Sequence, residues 1–476
     1  MVEEVIRQFR ALALIPRATF HEQRAAEYIE KLGIKYGCKT VRDSKNNVVI
    51  DKPAHAGYEH VPRVILQAHI DMVCKGTPGR GYDPLKDGIQ LVEEEGRITA
   101  EGTTLGADNG IGAALILEIL RGEEACGPVR GIFTVEEEEG MGGARSLDPS
   151  FVQDKYFIGL DWTSTRTSCI GCASSLSLLA RKEAVYKRPE YDSAYRICLK
   201  GLPGGHSGLD IHRVKTNAVR EMIKILQNIL FLGIDFELAH IAGGTAKNVI
   251  PDSCTGTICI KSDCINKFLG TLSSVKKQMF AFMEAEGEDV VLTVEKAEKP
   301  DRVLERQCAK EILDFVQSIP NGVVKTEPGS SGYIHLSSNI GTISTGTCVE
   351  LSIMARGSRK EYLDLLYTGI KQQAGRCRLD VKCISKEPGF DSKRDGKLIR
   401  RVCEIYRAQN NEELTLEKIH AGLECGYFKQ KNPDMEVIVL GADLENIHTT
   451  KETLYTERLG VLCRLLLEVL RTAGSQ

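Results

Sequence analysis

The chain has 476 residues, about three typical domain lengths, with 42% hydrophobic and 27% charged residues and a formal net charge of −3. This balance of signs supplies no broad basic footprint for nucleic acid or for an anionic membrane surface, and no run approaches the ~18 consecutive apolar residues of a membrane span. Sixteen cysteines without an export signal read as reduced thiols of a cytoplasmic protein.

In chain order, residues 2–15 carry Glu3, Glu4, Arg7 and Arg10 inside an apolar pattern and predict an amphipathic first helix. Between residues 61 and 161, short continuous apolar runs alternate with Gly-rich turns and a helical stretch, as buried parallel strands of an α/β domain do. Residues 64–68 form a strand ending at His69. Residues 106–112 make a tight loop opening a helix over 113–120. A second strand, 131–135, runs into Glu136–Glu139, and a third, 155–160, stops at Asp161. Cys169 and Cys172 make a C-x-x-C without a second pair at zinc spacing, which reads as two small residues in a strand-turn, with a zinc half-site or redox pair as alternatives.

A different texture begins near Val185. It predicts a strand at 194–200, a glycine-rich turn at 201–208, a long amphipathic helix at 213–230, strands at 292–296 and 349–354, and helices at 309–317 and 359–376. Such an alternation suggests a separate domain inserted into the first. After Gly389, a helix at 396–407, a strand at 436–440 and a helix at 458–471 return to the first texture. The expected division is 1–184, 185–389 and 390–476, the outer two parts forming one catalytic domain.

His69, Asp71, Asp108, the acidic run, Asp161 and His448 mostly follow predicted strands, and open α/β sheets bind ligands at the carboxyl edge of their strands. Each has a plainer reading. His69 can be a satisfied strand-end histidine, Asp108 a helix N-cap, Glu136–Glu139 a solvated turn, Asp161 a turn cap and His448 a surface histidine. Together, two histidines and several carboxylates are the ligand types that Zn²⁺, Mn²⁺ or Co²⁺ accept, and Asp71 can accept the second N–H of His69. Two divalent cations bring four positive charges. Asp108, Glu138 and Asp161 supply three negative ones, and a hydroxide between the metals balances the last.

The series His69-Ile-Asp71, Gly106-Ala-Asp108-Asn-Gly110, Thr134-Val-Glu-Glu-Glu-Glu-Gly140-Met141, Asp161, Gly204-Gly-His206-Ser-Gly208, Ala246-Lys-Asn248, His420-Ala-Gly422-Leu-Glu-Cys-Gly426 and Asn446-Ile-His448 closely resembles the aminoacyl-histidine dipeptidases. These belong to the di-zinc carboxypeptidase/aminoacylase clan. The resemblance runs over nearly the whole chain. It implies a mixed-sheet α/β zinc-peptidase domain with an inserted α+β lid domain through which a homodimer can form, two zinc ions per chain with Mn²⁺ or Co²⁺ as substitutes, and dipeptide substrates including Xaa-His.

By motif position the resemblance makes His69, Glu138, Asp161 and His448 metal ligands, Asp108 the bridging ligand and Asp71 the residue orienting His69. Alignment on Gly140 and Met141 makes Glu137 the general base. His206 and Asn248 would hydrogen-bond the carbonyl oxygen or its oxyanion. Arg356 is the candidate for pairing the substrate's α-carboxylate, since guanidinium matches carboxylate bidentately, and Gly422 lets backbone N–H groups approach it. Trp162-Thr163 after Asp161 and Ser174-Ser175 after Ala173 depart from the family's Ser-Glu and Gly-Gly, which bears on substrate preference. The other readings are an N-acyl amino acid deacylase or tripeptidase on the same site, and an inactive metal-bound binding protein.

Overall fold

The computed structural model describes residues 1–283, 290–327 and 332–474. They form two compact units: residues 1–172, 389–418 and 423–474 make the first, and residues 173–388 with 419–422 the second. The boundary expected after residue 184 lies at 172/173 instead. The reason is the strand Ser174–Glu183, which pairs along its length with Cys348–Gly357 and Asp380–Glu387.

The first unit is built on a mixed sheet. Its strands run in the order Lys39–Arg42, Val48–Lys52, Val129–Thr134, Val64–His69, Tyr156–Gly159, Glu436–Val439, Thr167–Cys172 and Phe390–Asp391. The Val64–His69 strand is parallel to both neighbours, and Glu436–Val439 is parallel to Tyr156–Gly159; the outer pairings are antiparallel. Every residue of Val64–His69, Val129–Thr134 and Tyr156–Gly159 is buried, which explains their continuous apolar runs. Helices Val2–Ala13, Ala107–Arg121, Lys397–Asn410 and Leu459–Thr472 contribute to one apolar core with this sheet.

Register decides where the chemistry emerges. His69 lies opposite Thr134, and Gln67 opposite Gly159. The three parallel strands therefore end together, delivering His69, the acidic run after Thr134 and Asp161 to one edge.

The second unit carries an antiparallel sheet in the order Val291–Ala297, Ser193–Lys200, Cys254–Ile260, Glu237–Gly243, Ile334–Thr345, Cys348–Gly357, Ser174–Glu183 and Asp380–Glu387. Helices Ala218–Phe231, Arg306–Ser318 and Lys360–Arg376 share its core. The helix expected from residue 213 starts at Ala218, because Asn217 is extended and its side chain accepts the N–H of Arg220 as an N-cap. Among the described residues, no helix is long and apolar enough to cross a membrane. Cys169 and Cys172 are buried in and at the end of the strand Thr167–Cys172, as two small residues of a strand.

Candidate metal centre

His69 is almost fully buried at its strand end. Its Nε2 lies 3.2 Å from Oδ1 of Asp108 and 3.9 Å from Oδ1 of Asp161. Behind the ring, Nδ1 lies 3.6 Å from Oδ1 and 3.2 Å from the carbonyl oxygen of Asp71. The Asp71 carboxylate also accepts the backbone N–H groups of Glu137 and Glu138 at 3.0 and 3.1 Å and the Thr19 hydroxyl at 3.0 Å. One fully buried carboxylate thus fixes both the imidazole and the turn of the acidic run.

Asp108 does not cap its helix. The helix Ala107–Arg121 has Gly106 at its N-cap, and Asp108 and Asn109 depart from helical φ/ψ. The Asp108 carboxylate faces two histidines, with Oδ2 3.2 Å from Nε2 of His448. His448 has φ of 63°, rare for a residue with a side chain, and its position is held by the surrounding loop. Its Nε2 also lies 3.1 Å from Oε1 of Glu138, in a geometry that leaves this buried oxygen without a hydrogen bond.

Three groups of potential ligands follow: His69 with Asp108 and Asp161; Asp108 with Glu138 and His448; and His69 with Glu137 and Glu138, the ligand atoms of each within 4.8 Å of one another. Of the four glutamates, Glu139 is exposed, while Glu136 pairs with Lys45 away from these groups. The donors are imidazole nitrogens and carboxylate oxygens, and Glu138 Oε1 is an orphaned buried acceptor. This set fits divalent ions of the zinc class, and Asp108 offers one oxygen to each side.

Protonation tells the same story. Burial opposes charge on His448, yet its hydrogen bond to Asp108 and the close approach of the Glu138 carboxylate push it up to about 10. Burial likewise opposes charge on His69, and Asp108 and Asp71 outweigh it, so His69 also sits well above the usual histidine range. Burial, reinforced by Asp108, pushes Asp161 up to about 7. Burial also raises Glu137 well above the carboxylate range, and Asp161 and Glu138 add to it. Without cations the crowded carboxylates hold protons, on themselves or on the histidines between them.

Several residues that serve this cluster were given no role by the sequence. Glu424 accepts from Gln67 Nε2 at 2.7 Å and Thr134 Oγ1 at 2.6 Å, and burial pushes it up to about 8. It lies in the Gly422-Leu-Glu-Cys-Gly426 segment without an obvious role there. Glu22 accepts the N–H of Glu136, and Arg17 and Glu452 hold the backbone around Asp108. Buried charge of this kind becomes recognisable only once the fold closes around it.

The second unit gathers the four residues proposed from sequence as substrate contacts. His206 Nε2 lies 3.3 Å from Nη2 of Arg356. The two-residue strand Gly205–His206 pairs with Val249–Ile250, and Ser207 N–H donates to the carbonyl of Asn248 at 2.8 Å. Ser337, opposite Arg356, bonds Nε2 of His420 at 2.7 Å. A Cβ on Gly208 would come within 2.6 Å of the His420 carbonyl, so the His206 turn lies against the short segment that holds Gly422. Nδ1 of His206 lies 3.2 Å from the Leu209 backbone nitrogen, and its Nε2 lies beside the Arg356 guanidinium.

The profile of peptidase family M20/M25/M40 matches residues 65–472. Cytosol non-specific dipeptidase of Escherichia coli (strain K12) is 31% identical over 475 residues, 97% of this chain and 96% of that protein. The crystal structure of aminoacylhistidine dipeptidase from Vibrio alginolyticus is similar with a TM-score of 0.85 at 27% identity, covering 98% of this chain and 96% of that one. Aminopeptidase PepT from Bacillus cereus shares the fold, with a TM-score of 0.57 at 17% identity over 99% of this chain and 98% of that one. A match over most of its length, on a cluster of this chemistry, places the chain in peptidase family M20/M25/M40, hydrolases acting on peptide bonds.

Proposed function

We propose that this chain is a cytoplasmic dipeptidase that works with two divalent metal ions, zinc foremost with Mn²⁺ or Co²⁺ able to substitute, and that Xaa-His dipeptides are among its substrates. The observation that carries the reading is the shared carboxylate: Asp108 turns Oδ1 to His69 and Oδ2 to His448, so two three-residue ligand groups meet on one side chain. In this reading His69 and Asp161 would hold one ion, Glu138 and His448 the other, with Asp108 shared by both. Bound there, such ions would supply polarisation of the scissile carbonyl and a lowered pKa of water.

Glu137 is the proposed general base. It stands beside the ligand Glu138, and its raised carboxyl suits a group that must take a proton and give it up again. It takes the proton of the attacking water and passes it to the departing amine nitrogen. Asp71 orients His69 and, through its two backbone contacts, keeps Glu137 and Glu138 in register. Arg356, with backbone groups near Gly422, binds the substrate's α-carboxylate; His206 and Asn248 steady the carbonyl oxygen as negative charge builds on it. Support for a dipeptide comes from the two relatives whose names describe dipeptidases, one non-specific and one aminoacylhistidine-directed. Support for the cytoplasm comes from the first relative's name.

The test is a substrate panel on the metal-loaded enzyme: Xaa-His and other dipeptides, tripeptides, and N-acetyl amino acids. Dipeptides are expected to be hydrolysed well and the other classes poorly. Preference for N-acetyl amino acids would make the chain a deacylase on the same ligand set, and turnover of none of them would leave a metal-bound binding protein.

A further inference from the structure

The turn that presents Asp108 is gripped from two directions by buried charged side chains that the hydrolysis does not consume. Glu452 is 3% exposed. Its Oε2 accepts the backbone N–H groups of Leu105 and Gly106 at 2.9 and 3.0 Å, and its Oε1 accepts that of Asp108 at 3.2 Å. Gly106 is left-handed, with φ of 69°, which lets these N–H groups converge on one carboxylate as a backbone nest. Arg17, 2% exposed, donates to the carbonyls of Ile70 at 3.0 Å, Asp71 at 3.3 Å and Gly106 at 2.5 Å. Its approach is close enough that a Cβ on Gly106 would meet Nη2 at 2.6 Å.

The connectivity is specific. Arg17 ties the Asp108 turn to the segment immediately after His69. Glu452 ties the same turn to the loop that carries His448, four residues earlier. The His448 loop therefore holds Asp108 twice, by its ring at the side chain and by Glu452 at the backbone. Arg17 makes no ion pair among the described residues, and an unpaired buried guanidinium is expensive to keep unless the carbonyls it organises matter.

We propose that Arg17 and Glu452 are positioning residues that set the Asp108 carboxylate between the two metal positions and so govern how tightly the pair of ions is held. The inference rests on the two-metal reading of the site. Glu452→Gln is nearly isosteric, but one oxygen becomes an NH₂, which cannot accept. The amide can satisfy Leu105 and Gly106 or Asp108, not both.

The experiment is a zinc titration of metal-free protein against a competing chelator, on wild type, Glu452→Gln and Arg17→Lys, at a temperature where circular dichroism shows each to be folded. Wild type is expected to bind two ions. Both variants are expected to bind the weaker ion about 10- to 100-fold less tightly, as loss of outer-shell partners commonly does, and the visible spectrum of the Co²⁺-loaded protein is expected to change. Wild-type affinities and spectrum in the folded variants overturn the proposal, as does failure of both to fold, which assigns them a purely structural role. Fewer than two ions on wild type overturns the two-metal reading instead.

Discussion

His69 and His448, from opposite ends of the chain, each place Nε2 3.2 Å from a different oxygen of one carboxylate, that of Asp108. The motifs around each histidine point to metal ligation, but not to a shared carboxylate. Their meeting requires three strands ending in register and a C-terminal loop folded back over the same edge.

The acidic run gives the first prediction. Glu137→Gln is expected to leave zinc content near that of wild type while kcat falls about 10²- to 10⁴-fold, the usual contribution of a proton-transferring group. Glu138→Gln is expected to lose or weaken one ion along with activity. Glu139, exposed, should tolerate Ala with little change. Metal analysis and steady-state kinetics on the three variants read this directly. Retention of metal by Glu138→Gln with loss in Glu139→Ala would shift the register by one.

The second prediction concerns pH. His448 titrates at about 10 and Asp161 at about 7 in the metal-free cluster, both raised. A raised folded-state pKa contributes stability below the unfolded value that is lost as pH rises through the folded one. The metal-free protein should therefore lose thermal stability progressively from about pH 4 to 7 on account of Asp161 and from about 6.5 to 10 on account of His448. An ion needs these same groups deprotonated, so zinc affinity should rise with pH over those windows, with protons released on binding. Calorimetry in buffers of different ionisation enthalpy measures the release; zinc uptake without proton release at pH 7 would contradict the assignment of His448.

Substrate length gives the third. If Arg356 holds the α-carboxylate, one more residue carries that charge ~3.3 to 3.6 Å further away. Tripeptides should be poor substrates. Arg356→Ala should lower dipeptide kcat/KM by roughly 10- to 100-fold, the range for a lost charge-assisted hydrogen bond, without changing zinc content. Equal rates on di- and tripeptides would remove the carboxylate clamp.

Packing gives the fourth. A Cβ on Gly441 would lie 1.7 Å from the carbonyl oxygen of Trp162, next to Asp161. Gly441→Ala must push backbone apart and is expected to cost about 1–3 kcal/mol, with weaker metal binding as Asp161 moves. Gly270 has open space around its would-be Cβ, and Gly270→Ala in the helix Ile265–Met283 should be neutral or stabilising. Thermal melts of the two separate these outcomes.

Buried strands and long helices were legible in the sequence because their apolar runs reflect burial directly; the strand Val64–His69 and the helix Arg306–Ser318 lie where periodicity and composition put them. Boundaries set by single side chains were less so, as Asn217 shows by starting its helix five residues later than the amphipathic pattern suggests. Asp108 has the sequence signature of an N-cap and is something else, since Gly106 takes that place and frees the carboxylate. Arg17 and Glu452 were invisible, and Glu424, though inside a recognised motif, had no role assigned to it. A buried charge has no periodicity, and its partners here are backbone atoms or residues from far along the chain.

The most direct measurement is dipeptide hydrolysis followed while zinc is added stepwise to exhaustively chelated enzyme, with bound metal counted at each step. The account predicts negligible turnover without metal, recovery that follows metal binding, and full activity at close to two ions per chain. Turnover that survives exhaustive chelation, or that is complete with one ion bound, would contradict it.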